Sequence, residues 1–118
     1  MFNIDYRLAP EHPYPAAVSD VCAALEWVAE NAEGYGGDLS RLVFAGECAG
    51  GNRATALALC CCYRRPEPFA QRAFATGLVP TAVAPACAPL QVTNPARLNR
   101  KRKLPRWVND ILEGMNES

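Results

Sequence analysis

The stretch RLVFAGECAGGNRA, residues 41–54, constrains this 118-residue chain more than any other. A run of apolar and small residues ends at Gly46. Glu47, Cys48 and Ala49 follow, then Gly50 and Gly51, then an alanine- and leucine-rich segment. The apolar run predicts a strand buried on both faces. Residues 52–63 predict a buried helix. The backbone must therefore turn from strand to helix within one pentapeptide. Only small neighbours permit so sharp a turn. Gly46 and Gly50 meet that need by letting backbone pass close to backbone.

The flanks extend the alternation. MFNIDYRL, residues 1–8, alternates apolar and polar residues and predicts a strand. The prolines of APEHPYP exclude helix and central strand there, and Pro15 suits the first turn of a helix. Over residues 16–32, Val18, Val21, Cys22, Leu25, Val28 and Ala32 recur at helical spacing. Glycines in GYGGDLS end that helix. A short helix is expected at residues 69–75. A third strand, interrupted by proline, is expected at 81–88. A basic connector follows it, then an amphipathic helix over 104–115 that contains Trp107. Strands alternating with helices imply an α/β fold with a parallel sheet and helices on its faces.

Composition narrows the function. One small domain fits 118 residues, and the formal net charge is zero. Six of the 12 basic residues fall within residues 97–106, RLNRKRKLPR, which carry no acidic residue. A solvated connector is the simplest reading of that run. No nucleic-acid motif or interleaved aromatic pattern accompanies it, so no nucleic-acid partner is expected. No apolar run is long enough to span a bilayer. Cys60, Cys61 and Cys62 are consecutive on a predicted helix, where neighbouring side chains diverge. We therefore expect reduced thiols and a cytoplasmic location. Cys22, Cys60, Cys61, Cys62 and Cys87 read as small hydrophobes, and Trp27 and Trp107 as packing residues. No cysteine or histidine grouping has metal-ligand spacing, so no metal is expected.

A strand, G-x-C-x-G and a helix, in that order, match a nucleophile elbow. There the nucleophile sits in a strained turn, at residue 48 in this chain. The helix N-terminus behind it faces developing negative charge. The next residue, Ala49, donates its backbone N–H to the oxyanion. A glycine-rich turn without chemistry has the same pattern.

Two longer segments carry a family resemblance. DYRLAPEHPYPAAVSDVCAALEWVAEN and GGDLSRLVFAGECAGGN closely resemble the hormone-sensitive-lipase-like branch of the α/β-hydrolases. That branch typically reads D-Y-R-L-A-P-E and then G-D-S-A-G-G-N. The resemblance covers about half the chain, residues 2–59. It implies a carboxylic-ester hydrolase that works through an acyl-enzyme, takes a small-molecule ester and uses no cofactor. The family's serine position falls on Cys48 and one oxyanion donor on the Ala49 N–H. Gly46 and Gly50 are the elbow glycines. Residues 1–118 then form part of one α/β-hydrolase domain. Residues 1–37 supply strand, connector and helix. Residues 41–64 supply the elbow strand and helix. Residues 76–118 supply the following strand and the start of a lid-like region.

The departures from the family pattern qualify the chemistry. The family's H-G-G-G loop precedes the D-Y-R strand, and its acid and histidine follow the elbow. The one histidine of this chain, His12, precedes the elbow and reads as a surface residue. Asp20 and Asp38 read as ordinary helix-surface and turn residues. In the family's sheet order the D-Y-R strand and the elbow strand are not neighbours, so the expected sheet is incomplete, with a gap beside the elbow strand. A piece of a longer hydrolase is the expectation. Residue 48 then admits three readings: a disabled nucleophile, a working thiol as in dienelactone hydrolases, or an inert turn residue. The alternative functions are an inactive hydrolase-like fragment, a binding module and a thiol-based hydrolase.

Overall fold

Helix α1, Ala16–Asn31, forms where the apolar spacing predicts it. Its buried stripe, Val18, Val21, Cys22, Leu25 and Val28, repeats at three- and four-residue intervals, and its first four residues join the common core. Gly36, at φ 77°, stops the turn that follows, since a left-handed residue there carries no steric cost for glycine. The computed structural model describes residues 1–88 and residue 90. The expected helix at 104–115 and the basic run at 97–106 lie outside the described residues.

Strand β1 is Val43–Glu47, α2 is Ala49–Cys62, α3 is Pro68–Ala75 and β2 is Ala82–Ala86. The two strands are parallel neighbours in register Val43↔Ala82 through Glu47↔Ala86. Helix α2 packs on both strands, and the three helices pack on one another. A bidentate ion pair from Arg72 to Glu26 ties α3 to α1. The core lies between the helices and one face of the strands. It contains Phe44, Leu57, Ala70 and Ala73 besides Val18, Val21, Cys22 and Leu25 of α1. This is the expected parallel α/β arrangement, reduced to two strands among the described residues.

Three expectations are corrected. Residues 1–8 form no strand. A strand is defined by its ladder, and this segment is held by side chains instead. Phe2 packs edge-on to Trp27 and Tyr35. Arg7 donates from its guanidinium and its backbone N–H to Asp20. Between the segment and β1 runs a groove of about 860 Å³, walled by Phe2, Ile4 and Val43 and floored by Leu25 and Leu57. Second, β1 is buried on one face only. Phe44 is 8% exposed, whereas Val43 is 56% exposed. The described helices lie together and cover the Phe44 side. Third, Pro85 does not interrupt β2. Cys48 N–H bonds the Ala86 carbonyl at 2.8 Å. Strand alternation therefore turns the Pro85 nitrogen away from β1, where no ladder bond is lost.

Asp20 is more than an ordinary surface residue, because it pins the N-terminal segment to α1. Hydrogen bonds from Arg7 hold its carboxyl below the ordinary value of 3.8. A depressed carboxylate contributes stability above its unfolded pKa and loses it as pH falls through the folded one. Asp20→Asn should therefore lower the melting temperature slightly at pH 6, the pair being solvent-exposed. The gap from the parent should close below pH 3.8. Thermal melts across that range check it.

Candidate active site

The site is built from the turn between β1 and α2. An Asx turn sets the entry. Asp38 accepts the Ser40 N–H at 2.9 Å and the Arg41 Nε–H at 2.8 Å. Its carboxyl is held below the usual range by Ser40 and Arg41. Thr81 N–H then bonds the Leu42 carbonyl at 2.7 Å and starts the ladder. Four residues on from Phe44 the chain reaches Cys48, at φ 51° and ψ −114°. A non-glycine residue there costs about 1–3 kcal/mol of backbone strain, which the packed strand and helix on either side must impose.

Helix α2 begins at Ala49, three residues before the periodicity alone suggests. Its first i→i−4 bond runs from Asn52 N–H to the Cys48 carbonyl, 3.1 Å. The N–H groups of Ala49, Gly50 and Gly51 precede that bond and belong to the open helix N-terminus beside Cys48. The Cys48 thiol is exposed and does not cap the helix.

The glycines divide differently from expectation. A Cβ on Gly46 would collide with the backbone of Gly50 and lie 2.8 Å from Gly51 N. A Cβ on Gly50 would meet only Tyr6 Oη, at 3.9 Å. The second tight position is Gly51, where a Cβ would come within 2.8 Å of Ala88 Cβ and 3.0 Å of the Gly46 carbonyl oxygen. Gly51 lies outside the G-x-C-x-G pentapeptide, and its one signal in the sequence is the doubled glycine that follows Ala49.

Other candidates fall away from the turn. His12 is exposed in the proline-rich connector, and its charge acts on Asp20. Burial pushes the Cys22 thiol up to about 12 and the Cys61 thiol up to about 11, and raises Cys60 as well. These three behave as the expected core hydrophobes. Cys62 and Cys87 do not, since both are exposed. Cys62 ends α2, and Cys87 lies one residue past β2. The groove beside β1 reaches Gly46, Glu47 and Gly50 but not Cys48. No described helix is long and apolar enough to cross a membrane.

Comparison with known proteins agrees with this architecture. Residues 1–112 match a family model described as the alpha/beta hydrolase fold. Carboxylesterase NlhH of Mycobacterium tuberculosis is 59% identical over 56 residues, covering 48% of this chain and 18% of that protein. Esterase LipI of the same species is 55% identical over 56 residues, with the same coverage. Bovine arylacetamide deacetylase is 42% identical over 60 residues, covering 49% of this chain and 15% of that protein. The chain thus spans less than a fifth of these relatives. No solved structure matches. With its strand, strained residue 48 and immediate helix, the chain belongs to the α/β-hydrolase family, on the hormone-sensitive-lipase-like branch, and carries part of that fold.

Proposed function

We propose that this chain carries the nucleophile elbow of a carboxylic-ester hydrolase, with Cys48 as the attacking residue. One observation carries the reading: residue 48 is held at φ 51° between β1 and the first turn of α2. The Cys48 Sγ attacks the ester carbonyl carbon. The carbonyl oxygen gains negative charge beside the Ala49 N–H, which donates to it. The C–O bond breaks, the alcohol leaves with a proton, and an acyl thioester remains on Sγ. Water then releases the carboxylic acid and restores the thiol. The names of two relatives, carboxylesterase and esterase, support an ester of a small molecule as substrate. A cytoplasmic location, expected from the reduced thiols, is part of the same proposal.

Among the described residues, the partners of a full triad are not at the turn. His12 lies in the connector, where its charge acts on Asp20 of α1. A thiol needs less help than a hydroxyl to attack, so acylation is the step this chain retains. Release of the thioester by water needs a positioned base and is the step impaired. The expected behaviour with p-nitrophenyl acetate is a fast release of nitrophenolate followed by slow turnover. Cys48→Ala removes the fast phase. Cys48→Ser slows it by on the order of tenfold or more, because a hydroxyl without a base is the weaker nucleophile. A fast phase of unchanged rate and amplitude in Cys48→Ala contradicts the proposal.

A further inference from the structure

The ester reading makes no use of Cys87, yet the sheet sets it beside Cys48. The register closes at Glu47↔Ala86, and the next residue on each side, just past its strand, is Cys48 on one and Cys87 on the other. The Cys48 N–H bonds the Ala86 carbonyl at 2.8 Å, which holds Cys48 against the peptide that leads into Cys87. Parallel neighbours stand about 4.8 Å apart. That separation falls inside the range of about 4.4–6.8 Å over which two Cα atoms accept a disulfide.

Direction agrees with distance. Relative to the preceding peptide, the position of Cβ depends on φ alone. The preceding peptides of the two residues are aligned by the parallel ladder. Cys48 has φ 51° and Cys87 has φ 49°, so the two Cβ atoms leave the sheet side by side. They are the only non-glycine residues with positive φ among those described. Both thiols are exposed. The remaining described cysteines are placed elsewhere. Cys22, Cys60 and Cys61 are buried. Cys62 lies at the far end of α2, about 20 Å from Cys48 at 1.5 Å per residue.

We propose that Cys48 and Cys87 form a redox-active dithiol that closes to a disulfide across the carboxyl ends of β1 and β2. Hydrogen peroxide is the oxidant considered. The Cys48 sulfur attacks one peroxide oxygen, an S–O bond forms, the O–O bond breaks and water leaves, with Cys48 as a sulfenic acid. The Cys87 sulfur then attacks the Cys48 sulfur, the S–S bond forms and a second water leaves. Two thiols supply two electrons and two hydrogens, and one peroxide yields two waters. The disulfide removes the residue 48 sulfur from any attack on an ester, and a dithiol reductant returns it. The pairing rests on the strand register and stands independently of ester chemistry at residue 48.

The test uses the complete 118-residue chain, fully reduced and then treated with one equivalent of hydrogen peroxide. Thiol titration in denaturant should show the loss of two of the six thiols. Trypsin without reductant should release residues 42–53 joined to residues 73–97, and dithiothreitol should separate them. Cys62→Ser should leave that cross-link unchanged. Cys87→Ser should abolish it and leave Cys48 as a sulfenic acid that dimedone captures. Cross-links through Cys62, covalent dimers, or oxidation of Cys48 to the sulfinic acid with Cys87 still a thiol in the parent chain would each overturn the proposal. The peptide map of the parent chain decides this without any variant having to fold.

Discussion

Gly46→Ala lowers the unfolding free energy by about 3 kcal/mol, while Gly50→Ala leaves it within about 1 kcal/mol. Each substitution adds one methyl group to a glycine of the same pentapeptide. The difference lies in what the methyl meets. At Gly46 it runs into the backbone of Gly50 and Gly51, and backbone in the first turn of a packed helix cannot step aside. Either β1 must move off α2 or the turn at Cys48 must open. At Gly50 the methyl enters open space with Tyr6 Oη 3.9 Å away. Gly50 lies within α2 and has no positive φ. Alanine there even removes some freedom from the unfolded chain. Urea midpoints of the two variants, with the slope compared against the parent, measure both effects. Equal losses would mean that the turn is not packed as described.

The second large effect separates the two faces of β1. Phe44→Ala costs about 3 to 4 kcal/mol, and Val43→Ala less than about 0.5 kcal/mol. The two residues are adjacent, so strand propensity and position in the chain are nearly matched. Phe44 is buried with Leu25, Leu57 and Cys22 in one cluster, and removing its ring leaves a cavity among them. Val43 points to the open face and is 56% exposed. A continuous apolar run read as a fully buried strand predicts similar losses at both residues. Urea unfolding of the pair therefore tests the one-sided sheet. Comparable costs at Val43 and Phe44 would require a cover over the Val43 face.

What was legible in the sequence follows the range of the interactions involved. The turn at residue 48 was legible because its causes are local: an apolar run, a glycine, and a helix that starts immediately. Helix α1 was legible for the same reason, since its stripe repeats along sixteen residues, Ala16–Asn31. The start of α2 was placed late because Gly50 and Gly51 read as turn residues. In the fold they already run helically, and Gly51 is small because β2 passes against it. Residues 1–8 have a strand pattern, but pattern does not supply a neighbour, and none of the described residues pairs with them. The role of Asp20 also depends on a distant partner, Arg7, which periodicity does not reveal. By its sequence Cys87 reads as a small hydrophobe of the third strand. It sits just beyond the end of β2, so its exposure turns on where the strand stops, which a sequence marks poorly.

In the proposed reading, position sets Cys48 apart from Cys62 and Cys87, the other exposed thiols among the described residues. The direct measurement is a peptide map of the parent protein quenched within the first release of nitrophenolate from p-nitrophenyl acetate. Cys62 is the internal reference, an exposed thiol at the end of a helix rather than at its start. The prediction is that the acetyl group is found on residues 42–53, which contain Cys48, with Cys62 at background. An acetyl group shared equally between Cys48 and Cys62 would contradict that reading.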